Sequence, residues 1–277
     1  VKGLRGGHSG MEINEGRGNA NKAMVRVLVP ALRDLKCRLA SISGGNLRNA
    51  IPRECVAVVA VPRESADALK DLVASTFADI KNEIGSVDAA VEMFLEPHNA
   101  VSVMSGGVAL RMAKAVLGCP NGVVRMSADV PGLVETSTNL AMVRSNGRTV
   151  DVECLLRSSV DSAKNYLAES MRAVMELAGA KAEFSGGYSG WQPDMKSPML
   201  AAMKKVYKDM YGAEPKVMAI HAGLECGIIG ATYKGLDMVS IGPTLCSPHS
   251  PDERVKIDTV GNAWEFLKEL LKAIPEK

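Results

Sequence analysis

Four histidines stand in this chain, and the surroundings of each suggest different chemistry. His249 lies between two prolines in "TLCSPHSPDERV" (244–255), a stretch with almost nothing apolar after Leu245. Prolines lock φ and remove backbone donors, so this imidazole is expected on a stiff, irregular loop that suits a metal ligand or a proton carrier. A metal site needs three or more ligands, so His249 requires partners. His8 sits in "GGHSG", where the absent side chains of the glycines let another group approach the backbone. The plain alternative is a strand-end turn that happens to contain a histidine. His221 opens "HAGLECG" just past the apolar "VMAI", and ligands of α/β sheets bind at the carboxyl ends of strands. Gly223 could offer a bare backbone amide there and Glu225 a carboxylate, although Glu225 equally suits the positive end of a helix dipole. His98, in "LEPHNA", reads as a solvated turn residue.

Two further side chains could hold a ligand. In "VDVECLLR" (150–157), alternation puts Val150, Val152, Cys154 and Leu156 on one face and Asp151, Glu153, Leu155 and Arg157 on the other. Arg157 therefore ends the strand on its polar face, available to a carboxylate in bidentate fashion or to Glu153 as a surface pair. Asn49, in "LRNAIP", comes ahead of a proline that favours extended backbone, so its amide is expected to be presented rather than spent in a ladder, although taken alone it would be a turn Asn. No His-x-Asp and no adjacent Glu-Glu pair occurs, so a hydrolytic metal centre would find one convincing ligand here.

These residues need elements to carry them. Residues 19–38 form an expected helix, kinked by Pro30; 55–61 a buried strand; 65–85 a helix ending at a glycine. A second round follows, with a helix over 106–118, strands near 122–127, 138–144 and 148–157, and a helix over 160–179. The pattern of 1–185 is two β-α-β-β-α-type halves side by side. After the Gly/Pro-rich "FSGGYSGWQPD" (184–194) come a helix over 197–212, strands at 216–220 and 238–242, and a helix over 259–274. That alternation indicates an α/β layer with few strands of its own.

The bulk numbers narrow the partners. At 277 residues the chain has room for two domains, and 47% apolar content without a membrane-length run gives no reason for a bilayer. A net charge of +2 from 33 basic and 31 acidic residues, with 4% aromatics, gives none for nucleic acid. Cys37, Cys55, Cys119, Cys154, Cys226 and Cys246 make no C-x-x-C pair, which argues against a zinc ribbon or a disulfide framework and for a reducing cytoplasm. The opening "VKGLRGGHSG" has neither an initiator Met nor an apolar leader, so the chain is expected to continue upstream of Val1.

Taken together, "GGHSGMEINEGRGNANK", "GGNLRNAIPRE", "LVETSTN", "CLLRSSVDSAK", "GYSGWQPD", "HAGLECG" and "MVSIGPTLCSPHSPDE" resemble the M20 metallopeptidases, above all the aminoacyl-histidine (Xaa-His), or cytosolic non-specific, dipeptidases. The resemblance implies an α/β fold with an α+β lid. Residues 1–185 would be the lid, two fused halves on an antiparallel sheet, and 186–277 the C-terminal part of an α/β catalytic domain. It implies a two-zinc centre in which His249 is the last ligand and the others belong to a catalytic segment ahead of Val1. It makes His8 the lid histidine that polarises the scissile carbonyl and stabilises the oxyanion. Asn49 and Arg157 would bind substrate around its carboxylate, and Gly223 would contribute a backbone contact. His221 and Glu225 match the pattern without an implied role. The activity implied is hydrolysis of dipeptides by a cytoplasmic homodimer. This chain alone would be inactive, with zinc absent or weakly held. A deacylase or tripeptidase of the same family, or a non-catalytic binding or dimerisation module, are the alternatives.

Overall fold

The computed structural model describes residues 1–99, 102–187, 189–191, 194–218, 225–246 and 253–273. Asn19 caps the first helix, its side chain accepting the Lys22 N–H at 3.1 Å. This helix, α1 (Ala20–Asp34), runs on through Pro30 and buries Ala23, Val27, Leu28 and Ala31. Lys36 then turns the chain at φ 56° into the next strand. The helix therefore ends four residues short of its expected limit at 38, because a left-handed residue cannot continue a right-handed turn.

In chain order the first unit contains β1 (Gly7–His8), α1, β2 (Arg38–Gly44), β3 (Ala50–Ile51), β4 (Cys55–Ala60), α2 (Ala66–Ile84), α3 (Gly106–Gly118), β5 (Gly122–Met126), β6 (Val134–Ser145), β7 (Val150–Ser158) and α4 (Asp161–Leu177). The spine of its five-stranded antiparallel sheet is β6. Along one edge β7 pairs with it from Thr136↔Ser158 to Ser145↔Val150. Along the other, β5 takes the first half of β6, and β2 joins at Ser43↔Arg144 and Gly44↔Val143. The far side of β2 carries β4. The expected strand at 138–144 thus begins four residues earlier, at Val134. The polar "VETS" shows no period-2 apolar pattern, and it becomes strand because partners lie on both sides.

All four helices pack against one face of this sheet. Leu28, Ile80, Val116, Leu167 and Met171 meet Leu39, Ile42, Leu140 and Val143 in one buried cluster. Val150, Val152, Cys154 and Leu156 of β7 pack against the same cluster, as their alternation requires. Each large aliphatic side chain buried there contributes roughly 1.5–3 kcal/mol. The two halves are not identical in order. The first opens on β1, whereas among the described residues the stretch between α2 and α3 forms no strand beyond the single bridge of Glu92 to Lys2.

The second unit comprises the described residues from 189 onward. It contains α5 (Pro198–Tyr211), α6 (Glu225–Thr232), β8 (Leu245–Cys246), β9 (Arg254–Val255) and α7 (Ile257–Ala273). Ser197 caps α5, Pro198 starts it, and Gly212 at φ 69° ends it. Met203, Val206 and Leu270 make a small core between α5 and α7, with Tyr207 edge-on to Phe266 at 5.7 Å. The strands expected at 216–220 and 238–242 do not form among the described residues. An apolar extended segment becomes strand only by hydrogen bonding to a neighbour, and these pair with none there. The chain as a whole is a mixed α/β fold whose sheets are antiparallel.

Candidate functional site

The loop from Gly6 to Arg17 carries His8, and its backbone is tied at several points. The His8 N–H donates to Glu12 Oε2 at 2.6 Å, and the His8 carbonyl accepts the Glu12 N–H at 3.0 Å. On the ring, Nδ1 accepts the backbone N–H groups of Gly10 and Met11, each at 3.2 Å. An Nδ1 that accepts is the unprotonated nitrogen of a neutral imidazole, so these two contacts favour the Nε2–H tautomer. The ring is half-buried. In that tautomer the ring donates from Nε2 and accepts at Nδ1.

Arg17 crosses the same loop. Its guanidinium donates to the Gly6 carbonyl at 2.5 Å, to Glu12 Oε1 at 2.6 Å and to Glu15 Oε2 at 2.5 Å. Gly7 sits at φ 136°, and a Cβ there would lie 2.1 Å from an Arg17 nitrogen and 2.5 Å from Glu12 Oε2, so a side chain would push the ends of this pair aside. Burial works to raise the Glu12 carboxyl, but the His8 N–H and the Arg17 guanidinium outweigh it and hold the group below its ordinary 4.5. Both ends of the loop close on one fully buried carboxylate. Asp88 accepts the Arg5 N–H at 2.6 Å on one oxygen and the Gly18 N–H at 2.7 Å on the other.

The loop that carries Asn49 docks beside His8. His8 pairs with Ala50 across β1 and β3, and the Ser9 N–H donates to the Asn49 carbonyl at 2.8 Å. Asn49 is exposed in a turn three residues ahead of Pro52, the turn position that a lone Asn suits, and the proline restricts Ile51 instead. From the other side, buried Asn139 of β6 donates its Nδ2 to the carbonyls of Ala50 at 2.7 Å and Arg48 at 3.3 Å. That side chain does what a neighbouring strand would do, and it fixes the loop to the sheet.

Arg157 reaches the same region through register. It stands opposite Ser137 across β6 and β7, while Asn139, two residues along β6, stands opposite Leu155. Cross-strand partners share a face, and Leu156 points into the helix-covered core, so Arg157 and Asn139 occupy the opposite face. The two-stranded sheet of β1 and β3, with the His8 and Asn49 loops, is thus tied through Asn139 to the face of the five-stranded sheet that carries Arg157. A neutral donor, an exposed carboxamide and a half-buried guanidinium suit a ligand bearing a carbonyl and a carboxylate.

The remaining candidates divide. His221, Gly223 and His249 lie outside the described residues. Glu225 is exposed in the first turn of α6, where a carboxylate favours the helix dipole. His98 is exposed, as its turn predicts. Among the described residues no three of His, Cys, Asp and Glu come together to hold a metal ion. The sequence reading missed Glu12, Arg17, Asp88 and Asn139. Glu12 and Arg17 were within reach of inference, since they sit in the same glycine-rich stretch as His8. Asp88 and Asn139 were not, because their partners lie 70 or more residues away.

Comparison with known proteins places the chain in a family. Residues 45–273 match peptidase family M20/M25/M40, and residues 1–88 match the peptidase dimerisation domain. The chain belongs to the M20 peptidase family, as the motifs from "GGHSG" to "SPHSPDE" lead one to expect. It is 44% identical over 281 residues to the cytosol non-specific dipeptidase of Escherichia coli (strain K12), covering 100% of this chain and 57% of that protein. The crystal structure of aminoacylhistidine dipeptidase from Vibrio alginolyticus matches with a TM-score of 0.92 at 46% identity, covering 100% of this chain and 56% of that one. The chain spans little more than half the length of these relatives. No helix among the described residues is long and apolar enough to cross a membrane.

Proposed function

We propose that residues 1–185 are the lid, and 186–277 the C-terminal part of the catalytic domain, of a broad-specificity dipeptidase that accepts Xaa-His peptides. The observation that carries this reading is the His8 ring held in a geometry that favours Nε2–H, in a loop tied with that of Asn49 to the sheet face that carries Arg157. In the proposed reaction His8 donates from Nε2 to the scissile carbonyl, where negative charge grows as the tetrahedral intermediate forms. Arg157 grips the free carboxylate of the dipeptide as a planar fork, and the Asn49 amide completes that contact. A clamp on a terminal carboxylate selects dipeptides, because only a substrate that ends there supplies the charge.

Family membership supports a two-zinc centre, but the described residues do not by themselves make one. His249 enters as one expected ligand and Gly223 as one backbone contact, with the remaining ligands on a segment ahead of Val1. The match of residues 1–88 to a dimerisation domain supports a homodimer, and the named E. coli relative supports a cytoplasmic setting.

The test uses the parent protein with its catalytic segment. Arg157→Ala should lower kcat/KM strongly for dipeptides and much less for dipeptide amides, which lack the carboxylate. Equal losses on both substrates remove the clamp. His8→Ala should lose about 10²–10³-fold in kcat with metal content unchanged. N-acyl amino acids offered beside the dipeptides separate a deacylase from a peptidase. The 277-residue chain alone should show no turnover and retain no stoichiometric zinc after dialysis, read by elemental analysis.

A further inference from the structure

We infer that Glu12 and Arg17 are positioning residues for His8: the pair holds the Gly6–Arg17 loop so that the imidazole presents Nε2–H rather than Nδ1–H. Four observations meet here. Glu12 takes the His8 N–H on one oxygen and Arg17 on the other, so one carboxylate links the histidine backbone to the guanidinium. Arg17 in turn holds the Gly6 carbonyl, the residue at which the loop enters β1. Gly7 keeps a conformation and an absent side chain that leave room for this pair. The same turn that brings Glu12 under His8 also aims the Gly10 and Met11 N–H groups at Nδ1.

The physical consequence concerns the tautomer. An imidazole free to rotate in water exchanges its proton between two nitrogens, and a ring donating from the wrong one offers a lone pair where a donor is needed. Two backbone donors aimed at Nδ1 make the Nε2–H form the one with satisfied partners. They stay aimed only while residues 8–12 keep their turn. The guanidinium side chain is 9% exposed, so its bonds to Glu12 are shielded from water more than those of an ordinary surface pair. An arginine whose three partners are the Gly6 carbonyl, Glu12 and Glu15 acts on the loop as a whole.

The activity arm of the test rests on the proposed role of His8, whereas the spectroscopic arm does not. Nitrogen-15 labelling of the histidines in the 277-residue chain gives four imidazoles, and the His8 signals are those lost in His8→Ala. Long-range proton–nitrogen correlation should show wild-type His8 with a protonated Nε2 and an accepting Nδ1. Arg17→Met should average the two tautomers, Glu12→Gln should do so to a smaller degree, and Arg17→Lys should restore the pattern in part. Arg26→Met removes an ion pair of the same kind, to Glu83 from α1, and should leave the His8 signals unchanged. In the parent enzyme Arg17→Met should lose about 10²-fold in kcat with KM unchanged. A wild-type Nδ1–H form overturns the inference, as does an unaltered His8 pattern in both Arg17→Met and Glu12→Gln. Loss of the fold in both variants also overturns it, since a positioning pair can be removed without unfolding the unit. If the parent cleaves no dipeptide at all, the functional reading fails while the nitrogen pattern still decides this one.

Discussion

The two units of the chain use similar residues in different ways. Residues 1–187 bury aliphatic side chains from Leu4 to Met171 against a five-stranded sheet. The described residues from 189 onward bury Leu200, Met203, Val206 and Leu270, yet leave Ile228, Tyr233, Ile257 and Trp264 more than half exposed. Helix quality does not explain the difference, since α5 has a Ser cap, a Pro start and a Gly stop. What differs is the surface on which the helices close. Four helices share one sheet face in the first unit, while α5 and α7 pack chiefly on each other in the second. Local sequence makes helices, and the burial that stabilises them comes from the layer beneath.

The largest expected effect follows from that contrast. Leu140→Ala, at the centre of the sheet, should cost about 4 kcal/mol, whereas Leu270→Ala should cost about 2 kcal/mol at a site better able to collapse. Denaturant unfolding followed by a probe in each unit should show the second unit melting first. A single transition, or equal costs, would break the comparison. Asp88→Ala should come next, at about 3 kcal/mol, because it leaves two amide N–H groups of the His8 loop without their carboxylate. Its second readout is hydrogen exchange at Arg5 and Gly18, which should quicken.

Within the weaker unit, Ser197→Ala should cost about 1 kcal/mol. The hydroxyl both caps α5 at Leu200 and donates to Asp237, whose carboxyl is held below its ordinary value by that bond and by the Met199 N–H. The smallest effect is a pH dependence confined to the His8 loop. The Glu12 carboxyl titrates lower in the folded chain than its ordinary 4.5, so the folded state binds fewer protons than the unfolded one in that window. Its contribution is complete above about 4.5 and is lost as pH falls through the lower folded value. The protection of the His8 amide, its exchange rate measured against the intrinsic rate at the same pH, should therefore fall in acid before the unit unfolds. Protection that persists to global unfolding would show that Glu12 does not hold the loop.

Much of the first unit was legible because its cues are local. The helix expected from residue 19 forms as α1, and alternation in "VDVECLLR" assigns Arg157 to the face away from the core. The strand cues in the second unit misled for a related reason. The stretches at 216–220 and 238–242 carry the apolar pattern of strands, but apolarity states only that a segment is to be buried, whereas pairing decides whether it is strand.

The candidate site divides along the same line. The sequence by itself determined the residue types of the proposed site: a histidine among glycines, an amide ahead of a proline and an arginine at a strand end. Order along the chain and motif spacing sufficed for the M20 family. Only the tertiary structure ties the His8 and Asn49 loops to the sheet face that carries Arg157, because the Asn139 amide on that face reaches as far along the chain as Ala50. Its geometry alone favours the Nε2–H form of His8 as well. Which ring nitrogen accepts depends on where the Gly10 and Met11 amides point, and that direction is set by a loop closed through Asp88, 70 residues beyond Gly18.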